Sequence, residues 1–196
     1  MQASIAIVEG PNRAASILKP IRRRILEQLR DPDSAAGVAA ALGLPRQRVG
    51  YHVRQLEKQG LIRQVDERRK GGCVERLLQT TARHYAIGPA ALGALGPTPD
   101  QVTDRFSSDY LVAVAAQTMR DVGMMQEKVR RADQKLATLT LESQVRFPSP
   151  REQSAFAREL AGSLKRLVEK HGSSDGDGGE TFRVVIGGYP SPDDNR

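Results

Sequence analysis

Four of the nine residues from Arg46 to Arg54 have side chains suited to reading the edge of a base pair. Arg46, Arg48 and Arg54 present forked donors that match guanine O6 and N7, and Gln47 matches adenine N6 and N7. Both side-chain types can form two hydrogen bonds at once in a major groove. Gly50 has no side chain and would let a helix backbone come close to the groove. Tyr51 shares the outward face, and His52 lies between that face and the buried one, with a secondary role at a phosphate or in packing. A solvated helix face also carries arginines, but the position of this face in the fold gives it more specific work.

That position follows from the elements around it. Val49, Val53 and Leu56 repeat at helical spacing, so a helix over 46–59 buries them and turns Arg46, Gln47, Gly50, Tyr51 and Arg54 outward, with Arg48 near the edge. Gly60 stops it. Ahead of it, Ser34 caps a short alanine-rich helix, Ala35 to Leu42, and Gly43 is placed to leave that helix in the left-handed conformation. Two helices joined so tightly form a helix-turn-helix. An earlier helix runs from Pro20 to Arg30, with Ile21, Ile25, Leu26 and Leu29 inward, and Asn12 caps a short helical turn before it. The run Arg22–Arg24 suits either phosphate contacts or a solvated face. Residues 61–70 and 74–87 read as two strands turned at Gly71–Gly72. Arg68, Arg69 and Lys70 then stand at the hairpin tip, where they could reach a minor groove or its phosphates.

These residues resemble the ArsR-type transcriptional regulators. The resemblance is carried by Lys19-Pro20-Ile21-Arg22-Arg23-Arg24-Ile25-Leu26, by Ala40 through Val49, by Tyr51 through Ile62, and by Glu67–Lys70 and Thr80–Arg83 of the hairpin. It covers about residues 12–88 and implies a winged helix-turn-helix that binds double-stranded DNA, as a repressor more than an activator. Pro45 departs from the family, which usually has Ser or Thr as the cap there. The metal-sensing motifs of some ArsR-type proteins are absent. Cys73 is single, and His52, His84 and His171 have no i, i+4 partner, so no metal or cofactor is expected. Cys73 beside Arg69 and Lys70 leaves a redox-sensitive hairpin as a minor option.

Charge divides the 196-residue chain in the same way. Residues 1–90 carry 16 Lys/Arg and 8 Asp/Glu, a net of +8, whereas residues 91–196 carry 14 and 15, a net of −1. The basic half suits a polyanion, and the neutral half some other task. One cysteine excludes a disulfide framework, and no run is long and apolar enough for a membrane span. No secretory signal is visible at Met1–Ile5, so a cytoplasmic protein is expected. No nucleophile, base and orienter set and no phosphate loop appears, so no enzyme is expected either.

The second half begins after a Gly/Pro-rich linker, residues 88–99. A Thr98 capping box opens a long helix from Pro99 to about Lys135, expected to pair subunits. Ala137, Leu139, Leu141, Val145 and Phe147 alternate as a half-buried strand. Ser149 caps a helix that closes at His171–Gly172. An acidic loop, 173–179, precedes a last strand over 181–186, and the final six residues read as unstructured. The expected fold class is α+β, with an N-terminal winged helix-turn-helix domain over 12–88. A long helix and a small two-stranded α/β lobe follow over 99–189, for dimerisation and with room for a small-molecule effector that no residue identifies. A two-fold dimer would set its reading helices about 34–36 Å apart, one turn of DNA. The alternative is a nucleic-acid-associated interaction module without promoter specificity.

Overall fold

The computed structural model describes residues 2–70, 72–132, 134–172 and 179–192. Its order is β1 (Ala3–Val8), α1 (Pro11–Leu18), α2 (Pro20–Gln28), α3 (Ala35–Leu42), α4 (Arg46–Lys58), β2 (Ile62–Lys70), β3 (Cys73–Thr80), β4 (Ala82–Ile87), α5 (Ser108–Arg131) and α6 (Pro150–His171). The N-terminal part is a mixed helix and strand fold built round a helix-turn-helix. The chain forms two compact units, Met1–Leu136 and Ala137–Arg196.

The core of the first unit joins Ile25, Leu26 and Leu29 of the α2 region to Val38 and Ala39 of α3 and to Val49, Val53 and Leu56 of α4. Leu61, Ile62 and Leu78 complete it from the hairpin. The hairpin is tied to the helices through main-chain bonds. Asp33 and Leu78 exchange two of them, at 3.1 and 2.8 Å, and the Thr80 N–H donates to the Leu29 carbonyl at 2.8 Å. Tyr85 adds a side-chain tie, donating from its hydroxyl to the Leu61 carbonyl at 2.8 Å.

Several expectations from the sequence need correction. The first strand, Ala3–Val8, was not anticipated; it pairs in parallel with β4, from Ala3 opposite Ala82 to Val8 opposite Ile87. Helix α1 is entered from Gly10 with Pro11 in its first turn, and no side chain caps it, so Asn12 is not its cap. The stretch 74–87 is two strands, since the chain breaks at Thr81, whose N–H and hydroxyl bond to the Leu61 and Gly60 carbonyls. Upstream of that break β3 pairs with β2, and downstream β4 pairs with β1.

The linker is structured as well. Residues Pro89–Leu95 form 3₁₀ turns on either side of a kink at Gly93 (φ 58°, ψ −131°) and pack against α1 and α5. The long helix does not start at Pro99. Only a 3₁₀ turn forms at Pro99–Gln101, without a side-chain cap from Thr98. The helix begins at Ser108, where the Ser107 hydroxyl accepts from the Tyr110 N–H at 3.1 Å. Asp104 makes the turn before it, accepting from the Phe106 N–H at 2.9 Å. Phe106 is left outside the helix, fully exposed. Helix α5 ends at Arg131 and lies against β1, and at Gly123 any side chain would press on Ile7 and Glu9. The first compact unit therefore extends well past residue 88.

In the second unit α6 forms as expected, with the Ser149 hydroxyl accepting from the Glu152 N–H at 3.3 Å. The two expected strands do not form. Residues 134–147 run without helix, strand, turn or bend, and 179–190 likewise. Neither finds a ladder partner among the described residues, so the alternation of their side chains is not converted into pairing. Residues 173–178 of the acidic loop and 193–196 of the tail lie outside the described residues.

Candidate nucleic-acid interface

The turn between α3 and α4 fixes the angle at which α4 is presented. The Ser34 hydroxyl accepts from the Gly37 N–H at 3.1 Å and starts α3. Gly43 closes it at φ 63°, a left-handed conformation costly for residues with a Cβ, and its N–H returns to Ala39 and Ala40. Leu44 donates to the Ala39 carbonyl at 3.0 Å, and Pro45 then enters α4 with no side-chain cap. Pro45 is the N-cap residue, at φ −58° and ψ 133°, and the helix starts at Arg46.

With Val49, Val53 and Leu56 buried, Arg46, Gln47, Arg48, Tyr51 and Arg54 are all exposed. Gly50 is on the same side. A Cβ built there meets nothing nearer than the Arg54 guanidinium at 3.9 Å, so packing within the chain does not require glycine. A mid-helix glycine costs about 0.5–1 kcal/mol relative to alanine. Gly50→Ala is therefore expected to raise unfolding stability by about that amount while weakening duplex binding, as the new methyl keeps the helix back from the groove. Denaturant unfolding and a binding titration on the same protein check the opposed signs.

His52 occupies a different environment from its neighbours. Its ring meets that of Tyr51 edge to face at 5.2 Å, and its Nδ1 is buried without a hydrogen-bond partner. Burial holds its pKa below the ordinary value of 6.5, and the charges of Arg22, Arg48 and Lys19 push it further down. Lys19 at the α1–α2 junction, Arg22 of α2 and Arg48 of α4 thus all act on His52, a grouping that sequence spacing does not reveal because Lys19 and Arg22 are far from α4 in the chain.

The sign of the pH effect follows from this lowered pKa. The folded chain takes up a proton at His52 less readily than the unfolded chain. The stability involved is intact above pH 6.5, falls as the pH drops below it, and levels off beneath the folded pKa. His52→Gln should flatten this acid-side loss, and melting temperatures recorded across mildly acidic pH test it.

The run Arg22–Arg24 divides. Arg22 is buried and donates from Nη1 to the Ser16 hydroxyl at 2.7 Å, whereas Arg23 and Arg24 are exposed. On the hairpin, Arg68 faces Glu75 across the strands, donating at 2.9 Å, with Asp33 4.0 Å away. Arg69, one residue on, is exposed and opposite Val74. Gly72 takes φ 78° at the tip, whereas Gly71 lies outside the described residues, as do the side chains of Lys70 and Cys73. Of the sequence-derived hairpin contacts, Arg68 already has an acidic partner and Arg69 faces solvent. Among the described residues no group of His, Cys, Asp and Glu could hold a metal ion, and no helix is long and apolar enough to cross a membrane.

Residues 17–65, from the end of α1 into β2, match a family model described as a helix-turn-helix domain. No curated protein shows significant similarity to the chain. The N-terminal region is accordingly a helix-turn-helix domain, the class that its α3–turn–α4 geometry defines.

Proposed function

We propose that this protein is a homodimeric, sequence-specific DNA-binding transcriptional regulator, a repressor as the ArsR resemblance implies. In this reading α4 lies in the major groove and the β2–β3 hairpin serves as the wing. The observation that carries the reading is the division of α4. Its apolar residues are consumed by the core, while Arg46, Gln47, Arg48, Tyr51 and Arg54 stand clear on one exposed side with Gly50 among them. Such a face can make paired hydrogen bonds to base edges, and Arg23, Arg24 and Arg69 are free to contribute positive charge toward phosphates. His52 contributes through the Lys19–Arg22–Arg48 cluster rather than by touching a base. The chain acts by binding rather than by catalysis, at the chromosome of the cytoplasm. A small-molecule effector in the C-terminal region belongs to this proposal, without an assigned site.

A duplex titration over a range of salt tests the reading, using a duplex selected from a random pool beside an unselected one. Both affinities should fall with salt, and the selected duplex should keep an advantage of at least about a thousandfold. Equal affinity at every salt would make the chain a nucleic-acid-associated module without promoter specificity.

A further inference from the structure

No described residue after Ala116 is buried, although the sequence goes on placing apolar residues at regular spacings. Along α6, Phe156, Leu160, Leu164, Leu167 and Val168 form one stripe, and none of them is buried. A unit with no buried residue among those described has little to set against the entropy of its chain. Ahead of α6, residues 134–147 have no helix, strand, turn or bend, and no strand partner among the described residues. Within this run Leu139, Leu141, Val145 and Phe147 fall at alternate positions, which a strand would place on one face, and Leu139 and Leu141 are 78% and 87% exposed. The Phe147 ring is 5.3 Å from that of Phe156, so this face continues into the α6 stripe.

We propose that this run pairs with the same run of a second copy, as an antiparallel two-stranded ribbon centred on Gln144. Two identical strands related by a two-fold axis through the ribbon keep their faces matched only when the axis passes through a residue. Centred on Gln144, Glu142 of each copy faces Arg146 of the other, Leu141 faces Phe147, and Ser143 faces Val145. A centre at Glu142 or Arg146 sets like charges opposite one another, which is unfavourable. A centre at Ser143 leaves both charges facing neutral residues. The charge pattern thus selects both the occupant, a second copy, and the register. Arg146 has a polar interaction within its own chain, which the pairing exchanges for Glu142 of the second copy. The ribbon satisfies main-chain groups and gives the α6 stripes a shared floor.

The inference specifies a surface for the dimer proposed above, and its test uses no DNA, so either can fail alone. The full-length protein carries Cys73→Ser, leaving a single engineered thiol. With Gln144→Cys, mild oxidation should yield a covalent dimer. With Thr140→Cys, whose two copies lie roughly 27 Å apart at ~3.4 Å per residue, it should not. In sedimentation, Glu142→Arg should weaken dimerisation about tenfold, and adding Arg146→Glu should restore it to within about threefold. A chain that stays monomeric at high concentration overturns the proposal. So does equal cross-linking at both positions, or a charge swap that fails to restore the dimer. A dimer with no cross-link at position 144 also overturns it, while leaving a two-fold regulator in place.

Discussion

Leu56→Ala is expected to destabilise the N-terminal unit by about 2–5 kcal/mol, the range for truncating a fully buried leucine. Leu56 is completely buried where α4 meets α2, α3 and the hairpin, in one cluster with Ile25, Leu29, Val38, Leu61 and Ile62. Its carbonyl accepts from the Leu61 N–H at 3.0 Å, so the turn leaving α4 keeps its bond and the cost is that of the cavity. Against a total stability of about 5–15 kcal/mol for an ordinary domain, the loss is large. Denaturant unfolding should show a lower midpoint with an unchanged slope. A shift below about 1 kcal/mol would mean that the site can collapse and that Leu56 does not anchor α4.

Arg46→Ala should weaken binding to the preferred duplex by about 1–3 kcal/mol, or roughly ten- to a hundredfold, with little change on an unselected duplex. Arg46 is the first residue of α4, at the end that enters a groove first when a second helix docks. It is exposed, so its removal should leave unfolding untouched and the two readouts separate cleanly. A uniform loss across sequences, with the salt slope reduced by about 1, would reassign Arg46 to a phosphate. Arg68→Ala is the useful contrast. Its guanidinium already faces Glu75 and Asp33, so its charge is partly compensated before any duplex arrives.

The helix-turn-helix was legible because its signals are local. Ser34, Gly43 and the Val49–Val53–Leu56 spacing each act within a turn or two, and the structure carries all three. Strand β1 escaped notice for the opposite reason. Its partner lies far along the chain, and Ala3–Val8 shows no clean alternation to announce it. The break at Thr81 was hidden because a change of pairing partner leaves no mark on hydrophobic pattern. Val102 and Phe106 stand at helical spacing ahead of Tyr110 and Val114, which is why the sequence suggests a helix from Pro99, but Asp104 and Ser107 form a turn and a cap there, and local hydrogen bonding prevails. At the interface, the outward face of α4 was readable from periodicity. The burial of Arg22 and the grouping of Lys19 with His52 required tertiary structure.

The parallel pairing of β1 with β4 also bears on how the protein is made. Strand β1 leaves the ribosome first, yet its partner follows only after the whole helix-turn-helix and hairpin. At about 5–20 residues per second, that is a wait of roughly 4–16 s. During it Ile5, Ile7 and Val8 have no native strand beside them, which is the condition under which a nascent chain pairs wrongly or recruits a chaperone. The α2–α4 core can form in that interval from nearby contacts alone. Synthesis therefore imposes an order on the molecule, with the helix-turn-helix first and the pairing of the strand that seats α5 after it.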